Sequence, residues 1–360
     1  MNTEELSKIA KQMVAEGKGI LAADESMNTV GKRFSSINLE NTEDNRRTFR
    51  EMLLTAPKEG QYISGVILFD ETIRQNTSSG ESFVSALQKE GILPGIKVDQ
   101  GLVDFGDKGS NFAKASSDLR EKVTKGLDGL SSRLVEYVSL GAKFCKWRSV
   151  ITIVEGGPTE ENIRQNAKDL AAYALECQKA GLVPMVEPEV LLEGSHSIEQ
   201  AGEASARILT ALFEEMAQIG VMPEGVILKT SMVLPGKNFG SKALPAEIAK
   251  ATLEVFNKVL PKNLAGVVFL SGGQGEVEAT ENLNAMNQMG KQPWPLTFSY
   301  ARALQDGATK TWAGKQENMA AAQKVFMHRA KMNSLASLGK YSSELEKGFE
   351  ASVGGEATQD

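Results

Sequence analysis

Residues 158–189 read PTEENIRQNAKDLAAYALECQKAGLVPMVEPE. This stretch holds one complete unit of a parallel α/β fold. Thr159 stands where a helix N-cap is expected, and Glu160 and Glu161 suit the positive end of the helix dipole. An amphipathic pattern runs from Glu160 to Ala180. Gly181 then offers a left-handed exit without a Cβ clash. The β-rich run Leu182–Val186 follows at once and ends in two acids, Glu187 and Glu189.

The same device recurs on either side. Helical patterns also end at Gly91, Gly141 and Gly220, each a few residues before a β-rich run. The runs are Gly19–Ala23, Ser64–Phe69, Gly95–Val98, Ala142–Ile151, Leu182–Val186, Gly225–Lys229, Gly266–Leu270 and Leu296–Ser299. Alternating strands and helices imply a parallel sheet with right-handed crossovers. Eight such units fit a closed (β/α)8 barrel better than the alternative, an open doubly wound sheet. The chain of 360 residues suits one large domain, so the expectation is a catalytic barrel over 1–347. The segment 348–360, rich in Gly, Ala, Ser and acid, is expected to be a mobile tail.

Composition narrows the function. The chain is 41% hydrophobic and 24% charged, with 40 basic against 46 acidic residues and a net charge of -6. That balance argues against a nucleic-acid partner, which usually meets a basic face. No apolar run approaches the length of a membrane span, and the start of the chain (Glu4, Leu6, Ile9, Met13, Val14) reads as an amphipathic helix, not a signal peptide. The two cysteines, Cys145 and Cys177, lie in apolar segments and read as buried free thiols, which fits a reducing, cytoplasmic location. The two histidines, His196 and His328, lie in separate segments and read as surface residues; no metal site is expected from them.

Charges gather where the strands end. Asp24 and Glu25 follow the first run, Lys97 and Asp99 the third, and Lys146 and Arg148 lie on the fourth. Glu187 and Glu189 end the fifth, Lys229 ends the sixth, Ser271-Gly272-Gly273 follows the seventh and Arg302 the eighth. In a barrel these carboxyl ends form the active face, and a period of two puts Lys97 and Asp99, Lys146 and Arg148, and Glu187 and Glu189 on shared faces. Burying so many charges for structure alone would be costly. Three lysines and two arginines among carboxylates suit an anionic ligand. The Ser271-Gly272-Gly273 turn can offer backbone amides to a phosphate. Without a metal, a lysine can serve as an electron sink beside a carbonyl by forming an iminium. Residue pattern alone leaves Lys229 and Lys146 equal for that role.

The stretches Gly19–Ser26 (GILAADES), Glu40–Arg47 (ENTEDNRR), Gly65–Phe69, Lys146-Trp147-Arg148, Val186-Glu187-Pro188-Glu189, Leu228-Lys229, Phe269–Gln274 (FLSGGQ) and Leu296–Tyr300 closely resemble class I fructose-bisphosphate aldolases, in unchanged order from about Gly17 to Tyr341. The resemblance implies reversible cleavage of fructose 1,6-bisphosphate to dihydroxyacetone phosphate and glyceraldehyde 3-phosphate, as in glycolysis, gluconeogenesis or the Calvin cycle. It implies no cofactor beyond a Schiff base on Lys229, and a homotetramer. Glu187 matches the carboxylate that moves protons during imine formation, and Glu189 the neighbour that helps position Lys229. Asp24, with Lys146 nearby, matches the group that handles the C4 hydroxyl proton. Lys97 and Arg148 resemble ligands of the aldehyde-side phosphate, and Arg33 a further substrate contact. Ser271, Gly272, Gly273, Ser299, Ala301 and Arg302 resemble the dihydroxyacetone-phosphate side. For proton shuttling near neutrality the Glu187 pKa is expected to be raised by burial.

Three departures stand out. Ala301 occupies a position where members often carry glycine, which alanine can fill unless a positive φ is required. The loop after Ser26 reads Met27-Asn28-Thr29 where Thr-Gly-Ser is commoner; Thr29 keeps a hydroxyl for phosphate. The sequence ends Thr358-Gln359-Asp360, whereas animal members end in a tyrosine that assists enamine proton exchange, so water or another side chain is expected to replace it. Two other functions compete: another Schiff-base barrel such as a transaldolase or deoxyribose-phosphate aldolase, and an inactive barrel used as a binding scaffold.

Overall fold

The computed structural model describes residues 3–106, 120–154 and 157–354. In chain order the strands are β1 (Gly19–Ala23), β2 (Ile63–Leu68), β3 (Leu93–Lys97), β4 (Leu102–Asp104), β5 (Lys122–Thr124), β6 (Phe144–Ile151), β7 (Val183–Val190), β8 (Ile227–Thr230), β9 (Gly266–Phe269) and β10 (Leu296–Tyr300). Eight of them close a parallel barrel in the order β1-β10-β9-β8-β7-β6-β3-β2. These are the eight expected runs, so the closed barrel replaces the open-sheet alternative. β4 and β5 form a separate antiparallel pair that the sequence did not announce.

The helix exits follow the expected chemistry. Gly91, Gly141, Gly181 and Gly220 all have positive φ, a conformation that a Cβ would strain. Thr159 caps the helix Glu160–Lys179, its side chain accepting from the Asn162 amide at 3.2 Å.

Alternation along the strands builds two cores. Ile20, Ala22, Ile67, Phe144, Val183, Met185, Ile227 and Val268 point into the barrel. Their neighbours Leu21, Ala23, Val66, Leu68, Cys145, Val186, Leu228 and Phe269 point outward against the helices. The inner core is dense: a Cβ added to Gly95 would lie 2.2 Å from the Phe144 ring. The amino-terminal end of the barrel is sealed by the helix Thr3–Met13, which sends Leu6, Ala10 and Met13 into the inner cluster, followed by Val14. With this end closed, solvent reaches the interior from the carboxyl ends.

A last helix spans Glu344–Gly354, so the expected tail boundary at Gly348 falls inside a helix; residues 355–360 lie outside those described. Glu346 docks this helix, accepting from Arg329 at 2.5 Å and Tyr341 at 3.0 Å and pairing with His328 at 2.9 Å. His328 is thus a partnered side chain and His196 is buried, unlike the surface residues expected. Both cysteines are buried and free. Among the described residues no helix is long and apolar enough to cross a membrane.

Candidate active site

Parallel register brings the strand-end charges to one height. Lys97 lies opposite Lys146, and Arg148 opposite Glu187. Together with β1, β8, β9 and β10 they surround a cavity of about 440 Å³ at the carboxyl face. Of the residues picked out from the sequence, Asp24, Ser26, Thr29, Arg33, Lys97, Lys146, Arg148, Glu187, Glu189, Lys229, Ser271, Gly272, Ser299, Ala301 and Arg302 line it. Gly273 does not line it; a Cβ at that position would meet the Leu192 side chain at 3.2 Å.

At its centre the side chains form an alternating chain of charge. Lys229 Nζ stands 3.1 Å from Glu187 Oε1, and Lys146 Nζ stands 3.2 Å from Glu187 Oε2. The Lys146 ammonium is also 2.7 Å from Asp24 and 4.0 Å from Asp99. Lys146, Lys229 and Glu187 are each only 4% exposed, so these interactions are little screened by water. Burial alone would lower the Lys146 pKa, but Asp24, Glu187 and Asp99 outweigh it and raise it.

Glu187 departs from the expectation. Burial does push its carboxyl up, but Lys146, Lys229 and Arg148 together pull it below its ordinary value. In the resting site it is therefore a carboxylate. Asp24 follows the same balance: burial raises it, while Lys146, Lys229 and Lys97 bring it down to about 2 from an ordinary 3.8.

A stability prediction follows from Asp24. A carboxylate whose folded pKa is depressed stabilises the fold above its ordinary pKa, and loses that contribution as pH falls through the folded value. The stability gap between wild type and Asp24→Asn should therefore shrink by about 2 kcal/mol between pH 5 and pH 2. Denaturant titrations across that range measure it, and a gap that stays constant refutes it.

The phosphate-binding candidates are held differently. Lys97 pairs with Asp99 at 2.6 Å, and Arg148 with Glu189 at 2.5 Å. The Glu189 contact is thus to Arg148, while the carboxylate touching Lys229 is Glu187. Arg302 is exposed and has no carboxylate partner among the described residues. Ser26 and Thr29 hydroxyls lie 3.1 Å apart at the start of the helix Met27–Ser35. Ser299 Oγ is buried without a protein hydrogen-bond partner among the described residues. Ala301 has φ -102°, so this position does not demand glycine.

Sequence reading located Glu25 and Asp99 at strand ends without giving them roles, and it missed Arg50 and Gln305. Glu25 lines the cavity and faces both Arg33 and Arg50. Arg50 lies among the buried residues Phe49, Met52, Leu53 and Leu54 of its helix. An arginine on an otherwise apolar helix face was the available signal. Among the described residues no group of three or more His, Cys, Asp or Glu side chains is arranged to hold a metal ion.

A closed parallel barrel with a buried lysine–carboxylate centre at its carboxyl face defines a barrel enzyme. The sequence profile described as "Fructose-bisphosphate aldolase class-I" matches residues 5–354. The chain is 50% identical over 353 residues to the cytosolic fructose-bisphosphate aldolase 4 of Arabidopsis thaliana, covering 98% of this chain and 87% of that one. It is also 50% identical over 343 residues to a chloroplastic fructose-bisphosphate aldolase of rice, covering 95% and 85%. The fructose-bisphosphate aldolase of Plasmodium falciparum, solved with TRAP and a small-molecule inhibitor, superposes with a TM-score of 0.90 at 46% identity, covering 94% of this chain and 96% of that one. The chain belongs to the class I fructose-bisphosphate aldolase family.

Proposed function

We propose that Lys229 is the amine that captures the substrate ketone, with Glu187 and Asp24 moving protons and Lys146 fixing their charge. As a member of its family the protein is a lyase that cleaves fructose 1,6-bisphosphate to dihydroxyacetone phosphate and glyceraldehyde 3-phosphate. The observation that carries the assignment is the unequal surroundings of the two buried lysines. Lys146 sits among three carboxylates with a raised pKa, which holds it as an ammonium ion. Lys229 has Glu187 alone within ion-pair distance among the described residues.

The steps follow from those distances. Glu187, ionised at rest, takes the Lys229 proton across 3.1 Å, and the neutral amine adds to the C2 carbonyl. Glu187 then returns a proton to the carbinolamine oxygen, which leaves as water and gives the iminium. The Asp24 carboxylate, kept charged by Lys146, accepts the C4 hydroxyl proton. The C3–C4 bond breaks, its electron pair passes into the enamine, and the aldehyde departs. Water supplies the proton at C3, Asp24 gives up the C4 hydroxyl proton to solvent, and hydrolysis of the iminium releases dihydroxyacetone phosphate and free Lys229. The cationic groups on either side of this centre, Arg302 and Arg33 on one and Lys97 and Arg148 on the other, suit a substrate phosphorylated at both ends. The same reading favours fructose 1,6-bisphosphate over fructose 1-phosphate. It includes a homotetramer, on the family resemblance, and a cytoplasmic location, supported by two buried free thiols.

Borohydride added with dihydroxyacetone phosphate should leave one reduced adduct, on the peptide containing Lys229, with or without a metal chelator. Peptide mass mapping reads the position. An adduct on Lys146, or none, overturns the assignment.

A further inference from the structure

Glu25 meets its two arginines in different ways. Arg50, on the helix Glu43–Leu54, is 2% exposed and donates to both Glu25 Oε2 and the Glu25 carbonyl oxygen, the latter at 3.2 Å. Its guanidinium rests against the Phe49 ring. The Arg33 guanidinium is 2.7 Å from Glu25 Oε1, yet that oxygen receives no hydrogen bond. Arg33 donates instead to the Gln305 side-chain oxygen, and Gln305 is itself anchored through its amide to the Ala22 carbonyl at 2.7 Å. One carboxylate against two guanidinium groups leaves this cluster with a net positive charge. The contrast lies across the cavity, where Lys97 pairs with Asp99 and Arg148 with Glu189.

We propose that Arg50 is a positioning residue: by holding Glu25 through Oε2 and its carbonyl oxygen, it fixes the carboxylate where Oε1 takes no hydrogen bond from Arg33, so that the Arg33 guanidinium stays available to a phosphate group of the substrate. This rests on the aldolase reading above. Without Arg50, Glu25 keeps a buried charge with Arg33 as its nearest cation. Arg33 then turns its donors to that carboxylate, and the substrate phosphate loses a contact. The effect falls on binding and leaves the chemistry at Lys229 unchanged.

Steady-state cleavage of fructose 1,6-bisphosphate tests this with R50M, R50K, E25Q and the two double variants. R50M should raise KM about tenfold, the scale of one charge-assisted hydrogen bond, with kcat within about twofold. R50K, whose point charge cannot serve both acceptors, should raise KM about threefold. In the E25Q background neither arginine substitution should change KM by more than about twofold, because the anion that captures Arg33 is gone. Should R50M fail to fold, R50K in the two backgrounds decides alone. A loss in kcat at unchanged KM, or an equal rise in KM in both backgrounds, overturns the proposal. Failure of the aldolase reading would show separately, as absent cleavage and absent trapping in the wild type.

Discussion

Lys229→Met should lower kcat for fructose 1,6-bisphosphate cleavage by a factor on the order of 10⁶, the scale expected when a covalent nucleophile is removed. The methionine side chain fills similar space in the pocket, so the loss is chemical. It removes the amine that forms the iminium, and no other buried lysine replaces it, because Lys146 is held as an ammonium ion by Asp24, Glu187 and Asp99. Substrate binding should persist, since the phosphate-facing groups are untouched; calorimetry with fructose 1,6-bisphosphate measures it. A variant retaining more than about a hundredth of wild-type kcat would mean that Lys229 is not the electron sink.

Lys146→Met should be damaging for a different reason. It leaves three carboxylates around an apolar tip, so repulsion and desolvation replace attraction. Breaking a buried pair this way costs about 3–5 kcal/mol of stability. The Asp24 and Glu187 pKa values should both rise, since Lys146 is the strongest of the cations lowering each. At neutral pH the variant then loses part of the base needed for the C4 hydroxyl proton, and kcat should fall about 10³-fold. The remaining activity should have its acid limb shifted to higher pH. Borohydride trapping at Lys229 should survive, which separates this variant from Lys229→Met. Unchanged kcat, or an unmoved acid limb, would refute the role.

Most of the barrel was legible because its signals are local. A glycine exit, a capping threonine and a short β-rich run occupy neighbouring residues, and Gly181 with Thr159 shows how far that carries. β4 and β5 escaped because three residues each are too short to show a period. The site was legible in its membership and less so in its balance. Burial of Glu187 could be foreseen from its strand; that three cations would outweigh burial depends on side chains from different strands. The tie between Lys146 and Lys229 has the same origin, since Asp24 is 122 positions from Lys146 but 2.7 Å away in space. Arg50 and Gln305 act through residues distant in sequence, Glu25 and Arg33, and no local pattern joins them.

The helix Thr3–Met13 closes the floor of the barrel, and its first residues, Thr3, Glu4 and Glu5, are exposed there. The start of this helix and the catalytic mouth therefore face opposite poles of the molecule. An affinity handle or fusion partner joined ahead of Thr3 would tether the enzyme by its underside, leaving the mouth turned toward the solution. The same attachment must preserve the register of Leu6, Ala10 and Met13, because a helix that withdraws would uncork the barrel.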